Sequence, residues 1–138
     1  MTIFIPAPAA TALLNSGPVE LRMQVRMTRA FIQADPSSLV FNRNKREQDA
    51  TGGWITVPEF AVEEQVGKVC EISGGRGIEN PRIAADGKQR TADFLLVMEV
   101  GADVEIDDWF MLNEKKWSVI EVGRSLGYEV RLLVAQYG

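Results

Sequence analysis

DDWFMLNEKKWSVIEVGRSLGYEVRLLVAQYG, residues 107–138, reads as strands joined by compact turns. Phe110 and Leu112 precede Asn113-Glu114, and Trp117 and Val119 follow it. A two-residue turn would therefore pair Phe110 with Trp117 on one face of a tight hairpin. Gly123 and Gly127 bracket a second turn, since glycine adopts positive φ at little cost, and Tyr128–Tyr137 runs back. With the apolar run Ala92–Val100 in front, the last third of the chain reads as antiparallel strands ending in a three-stranded meander. Phe94, Leu96, Phe110, Leu112, Trp117, Val119 and Val130 are expected in one core. Met111, Ile120 and Val122 fall on the opposite face, so something must cover it.

Upstream lies Ser73–Arg90, SGGRGIENPRIAADGKQR, with four glycines, Pro81, and Arg76, Arg82, Lys88 and Arg90 against only Glu79 and Asp86. A loop of about 18 residues is long for a connector in a compact domain. Glu64–Ser73 reads as a strand. Polar Asn42–Gly53 between Leu39–Asn44 and Trp54–Val57 reads as a long solvated hairpin, with Gly52-Gly53 allowing the reversal. Thr28–Ala34 fits either an extended strand or a turn of helix, and Asp35-Pro36 closes it. In Leu21–Met27 the residues Leu21, Met23, Val25 and Met27 alternate with Arg22, Gln24 and Arg26, which is a strand period. Met1–Pro18, rich in Ala and Pro, reads as an arm with room for a short helical turn at Ala9–Leu14. Residues 1–27 are thus an N-terminal extended arm. The strand in it would either add to a neighbouring subunit's sheet or open the chain's own barrel.

At 138 residues the chain suits one domain burying about two-thirds of its unfolded surface. Apolar content of 46% and charged content of 25% are ordinary for a globular protein. No apolar run approaches the roughly 20 residues that span a bilayer, so no membrane partner is expected. The opening MTIFIPAPAATALL lacks a leading Lys or Arg and is broken by Pro6 and Pro8, so no secretory leader is expected. A net charge of −4 argues against broad affinity for nucleic-acid backbones, though not against a protein that DNA merely passes. Cys70, the single cysteine, allows no intrachain disulfide and reads as a small buried hydrophobe.

The chain contains no histidine, which removes the commonest general base and zinc ligand, and with them Ser-His and Cys-His nucleophile pairs. Asp103, Glu105, Asp107 and Asp108 form the densest carboxylate cluster. Three of them would share a strand face close enough to hold a cation, but a solvated turn before a hairpin explains them as well. GGRG at Gly74–Gly77 lacks the Gly-Lys-Ser/Thr ending of a phosphate-binding loop and reads as a hinge. Of Trp54, Trp109 and Trp117, the last belongs to the core, and Trp109 is the better candidate for an external contact. Neither enzymatic activity nor a cofactor is expected.

Two blocks carry a resemblance. GADVEIDDWFMLNEKKWSVIEV (101–122) with YEVRLLVAQYG (128–138) resembles the small β-barrel head-to-tail joining proteins of tailed bacteriophages, called stopper, head-closure or connector proteins. TRAFIQADP (28–36) resembles the opening of their actinobacteriophage branch. The chain departs from the pattern at Glu114, where the glycine of an Asx-Gly turn is expected, and in the first 27 residues. The strand pattern implies an all-β fold, a small barrel of antiparallel strands over 28–138 carrying the long loop 73–90. The resemblance implies a virion protein of the neck, assembled in the host cytoplasm. Identical copies would form a homo-oligomeric ring between the portal or adaptor above and the tail terminator or tail tube below. Packaged double-stranded DNA would lie in its channel, which the ring closes after packaging while it presents a docking surface to the tail. Arg76, Arg82, Lys88 and Arg90 are the expected channel-facing residues, and Leu21, Met23, Val25 and Met27 the expected inter-subunit contacts. A barrel that binds single-stranded nucleic acid is the alternative; it would require basic and aromatic residues on one sheet face.

Overall fold

The computed structural model describes residues 3–48, 50–71, 82–83, 89–90 and 92–136, without the side chains of 44–48, 54–59, 71, 82–83 and 89–90. Two helices come first, α1 (Pro8–Ser16) and α2 (Val19–Ala34), and strands follow. These are β1 (Ser37–Leu39), β2 (Asn42–Gln48), β3 (Trp54–Ala61), β4 (Gln65–Glu71), β5 (Arg82–Ile83), β6 (Gln89–Arg90), β7 (Phe94–Glu99), β8 (Trp109–Leu112), β9 (Lys115–Gly123) and β10 (Glu129–Gln136). Eight of them form one antiparallel sheet in the order β1-β4-β7-β10-β9-β8-β2-β3, while β5 pairs with β6 in a second sheet. The mostly β fold is thus the one expected, a curled sheet.

The order of strands dictates the curl. Only Val40 and Phe41 separate β1 from β2, yet five strands lie between them in the sheet. A gap of two residues spans at most about 10 Å of chain, so the sheet must roll until its two ends nearly meet. Phe41 sits at the seam, fully buried, edge-on to Phe110 at 5.3 Å between ring centroids. Its carbonyl accepts the Val62 N–H at 2.7 Å. Beyond the seam β2 pairs with β8 at Asn42 alone, whereas its pairing with β3 continues to Gln48↔Trp54. The β2–β3 hairpin therefore leaves the barrel as a two-stranded ribbon.

The meander has the expected register, with Phe110 opposite Trp117. Asn113 and Glu114 both take positive φ, 52° and 64°, the combination whose twist matches a two-residue hairpin. Glutamate therefore occupies a left-handed position usually given to glycine. The seven expected core residues all belong to one cluster inside the roll, with Leu39, Phe41, Met98 and Leu132. Trp117 packs edge-on against Phe94 and its indole N–H donates to the Leu112 carbonyl at 3.1 Å. Val122 differs from expectation. β10 pairs Val134 with Val119 but Leu133 with Glu121, so Ile120 is an extra residue in β9. That bulge reverses the alternation: Val119 and Val122 both reach the inner core, and Ile120 points outward to a second cluster with Leu133, Ala135 and Ala92.

The strand expected over Leu21–Met27 is instead part of α2. Every second residue there is apolar, but Leu21, Val25 and Ile32 also fall at helical spacing with the polar Thr28 among them, and this is the set turned toward the sheet. Pro18 precedes the helix and Asp35-Pro36 ends it. The residues expected to form an extended arm thus fold back as a helix pair, α2 lying over the outer face of β4 and β7. Gly101, at φ 88°, faces Ala9 of α1 so closely that a Cβ there would collide with the Ala9 Cβ.

Two outcomes check this account. Trp117→Ala should lower stability by about 3 kcal/mol in denaturant titration, and a loss under about 1 kcal/mol would place Trp117 at the surface. Glu114→Gly should raise it by roughly 0.5–1 kcal/mol by relieving left-handed strain in the turn.

Candidate functional site

The acidic segment 101–108 is pinned from three sides. Arg43 grips Asp108 with two bonds, Nε to Oδ1 at 2.9 Å and Nη2 to Oδ2 at 2.8 Å, and reaches Asp103 at 3.1 Å and Glu105 at 3.5 Å. Asp108 is 1% exposed and its Oδ2 also accepts the Glu105 N–H. The bond to Asp108, reinforced by Asp103, raises the Arg43 guanidinium above its ordinary pKa although burial pulls the other way. Arg124 donates to the Ala102 and Val104 carbonyls, and Gln65 exchanges two bonds with the Asp103 backbone. The carboxylates considered as a cation site thus have an arginine in their midst. Among the described residues no group of three His, Cys, Asp or Glu is placed to hold a metal.

A second charged node joins the helices to the barrel. Glu99 of β7 and Glu129 of β10 lie directly opposite each other, face outward and are both buried. Two carboxylates at such a pair repel unless cations intervene. Arg29 of α2 donates to Glu99 at 2.8 and 3.4 Å and to the Thr11 hydroxyl of α1 at 2.9 Å, while the Ala7 N–H donates to Glu99 at 3.0 Å. Glu129 is bound by Arg131 at 2.6 Å and by the Thr28 hydroxyl. One buried acid therefore organises the start of α1, the middle of α2 and the end of β7. A lone glutamate ending the apolar run FLLVME was the signal for it in the sequence.

Beside this node opens a groove of about 300 Å³. Ile5 and Pro6 form one wall, Val62–Val66 the other, and Met98, Glu99 and Ala102 the floor. Glu63, Glu64, Glu99 and Asp103 are the charged residues that line it, and all are acidic. An apolar floor beneath an acidic rim suits a group that is apolar along its length and positive at its tip.

The solvent face of α2 carries an exposed apolar stripe. Val19, Met23, Met27 and Phe31, spaced four residues apart, are 67%, 61%, 61% and 44% exposed. Arg26 borders them, also exposed. Of the four expected inter-subunit residues, Met23 and Met27 are therefore outward, whereas Val25 is buried against the chain's own sheet and Leu21 is half-buried. Arg76 and Lys88 lie outside the described residues. Arg82 and Arg90 are directly opposite each other across the β5–β6 pair. Trp109 is half-buried, with the Lys116 ammonium 4.0 Å from its ring centre. Burial pushes the Cys70 thiol up in pKa, against the pull of Lys68 and Arg131, which suits an unreactive thiol.

No known protein family matches the chain, and comparison with curated proteins likewise gives no match.

Removing Arg43 would strand a buried carboxylate. Arg43→Met should cost about 3 kcal/mol, and adding Asp108→Asn to that variant should recover part of the loss. Additive effects in thermal unfolding would show that the two residues do not act as a pair.

Proposed function

We propose that this chain is a structural protein of a tailed-phage neck. It forms a ring between portal or adaptor and tail, closes the DNA channel after packaging and offers the tail its docking surface. One observation carries the reading. The two blocks that resemble head-to-tail joining proteins, far apart in sequence, touch in the fold, where the Thr28 hydroxyl meets Glu129 at 3.5 Å. They behave as one packed unit rather than as two separate similarities. The ribbon of β2 and β3 supplies a projection that a ring of barrels could direct inward.

The channel contact is assigned to the loop 73–90. The backbone register of β5 and β6 sets Arg82 opposite Arg90. Repeated around a ring, these residues with Arg76 and Lys88 would make a positive collar inside an acidic body, suited to phosphates at an arrested DNA end. The tip of the β2–β3 ribbon is the rival gate.

Replacing Arg76, Arg82, Lys88 and Arg90 with Ser should leave the neck assembled while packaged heads lose DNA before tails attach. Heads that keep their DNA but fail to receive tails would make the loop a docking surface instead. Salt-sensitive binding of single strands by the isolated chain would favour a nucleic-acid-binding barrel.

A further inference from the structure

We infer that the outer face of α2 in one copy of this chain seats in the acidic groove of a second copy. The inference deepens the ring reading, since it rests on the premise that copies of the chain associate and names the contact they use.

Helix α2 carries apolar residues on two sides. Leu21, Val25, Thr28 and Ile32 face the barrel, which is the ordinary reason for amphipathicity. Yet Val19, Met23, Met27 and Phe31, with Ala30 and Ala34 among them, line the side turned to solvent. A second apolar stripe on the solvent side of an otherwise polar face marks a contact surface. Methionine suits such a surface because its unbranched side chain adapts to an irregular recess.

Charge selects the occupant. The exposed stripe is bordered by Arg26, with Arg22 one turn earlier and the exposed Glu20 at the start of the helix. Arg22 brings a buried Nε that has no hydrogen-bond partner among the described residues. The groove offers what this surface lacks, an apolar lining of Val62, Met98 and Ala102 beside the carboxylates of Glu63 and Glu64. Both of those glutamates are exposed. Met23 or Met27 can enter the recess while Arg26 meets the acidic rim. Two α2 faces packed antiparallel on each other would instead bring arginine flanks together, a like-charge arrangement.

The two surfaces share no residue, so the contact is head-to-tail. A pair formed this way still exposes one unused α2 face and one unused groove. Such a contact propagates, and closes into a ring when the rotation between copies allows.

The test uses full-length chain in two variants, each spoiling one surface. Met23→Glu alters only the α2 face, and Glu63→Lys combined with Glu64→Lys only the groove rim. Circular dichroism and thermal unfolding should show both folded like the wild type. By native mass spectrometry and light scattering across a concentration series, the wild type should form oligomers and each variant alone should remain monomeric. An equimolar mixture should give one-to-one dimers that grow no further, because each variant supplies the surface the other lost. Dimers of the groove variant by itself would overturn the inference in favour of an α2–α2 contact. Wild-type-like assembly of both variants would overturn the contact and leave the ring reading standing. A wild type that remains monomeric across the series would overturn both.

Discussion

The two residues between β1 and β2 constrain this structure more than any other feature. A chain that must leave one end of a sheet and join the other within Val40-Phe41 cannot leave that sheet open. Closure then determines what lies inside. The alternation of β7, β9 and β10 sends Leu96, Val119 and Leu132 inward, and Phe41 and Phe110 plug the seam where no regular ladder joins β1 to β8. Main-chain pairing is nearly exhausted by the roll, and the aromatic contact takes over where it stops.

What the barrel cannot hide inside, it secures outside with arginine. Arg29 and Arg43 each bridge segments more than sixty residues apart in sequence, and each meets a carboxylate exposed by 3% or less. Pairs of this kind add little net stability compared with apolar substitutes, but an arrangement that separates them is penalised heavily. Their contribution is to specify one docking geometry: Arg29 for the helix pair on β7, Arg43 for the loop 101–108 against β2. Arg124 and Gln65 hold the same loop through its backbone.

The legible parts of the sequence were those where period and turn chemistry agree. Phe110 and Trp117 could be set opposite each other because a two-residue turn leaves one register, and the cost of a left-handed Glu114 did not change it. Helix α2 was obscured because LRMQVRM satisfies a period of two and a period near four over the same seven residues. The decisive member of the helical face, Thr28, is polar. Proline at 18 and 36 marked both ends of the helix all the same. The bulge at Ile120 had no local signal, since Val119, Ile120 and Val122 suit either face. Of the candidate site, Met23 and Met27, expected on a strand, lie outward on a helix instead. Arg43 and Glu99 were not legible, because pairs bridging sixty or more positions leave no mark on periodicity.

Glu99 belongs to two structures at once. It lines the floor of the groove, and it binds Arg29, which holds α2 in place. Filling the groove changes the dielectric around that ion pair, and any shift of α2 changes the pair from the other side. The groove and the outward face of α2 are therefore linked through one ion pair within a single chain. By thermodynamic reciprocity, whatever occupancy of the groove does to the outward face of α2, occupancy of that face does equally to the groove. In an assembly built from both, the first contact would set the affinity of the next, and cooperativity would be a property of the subunit.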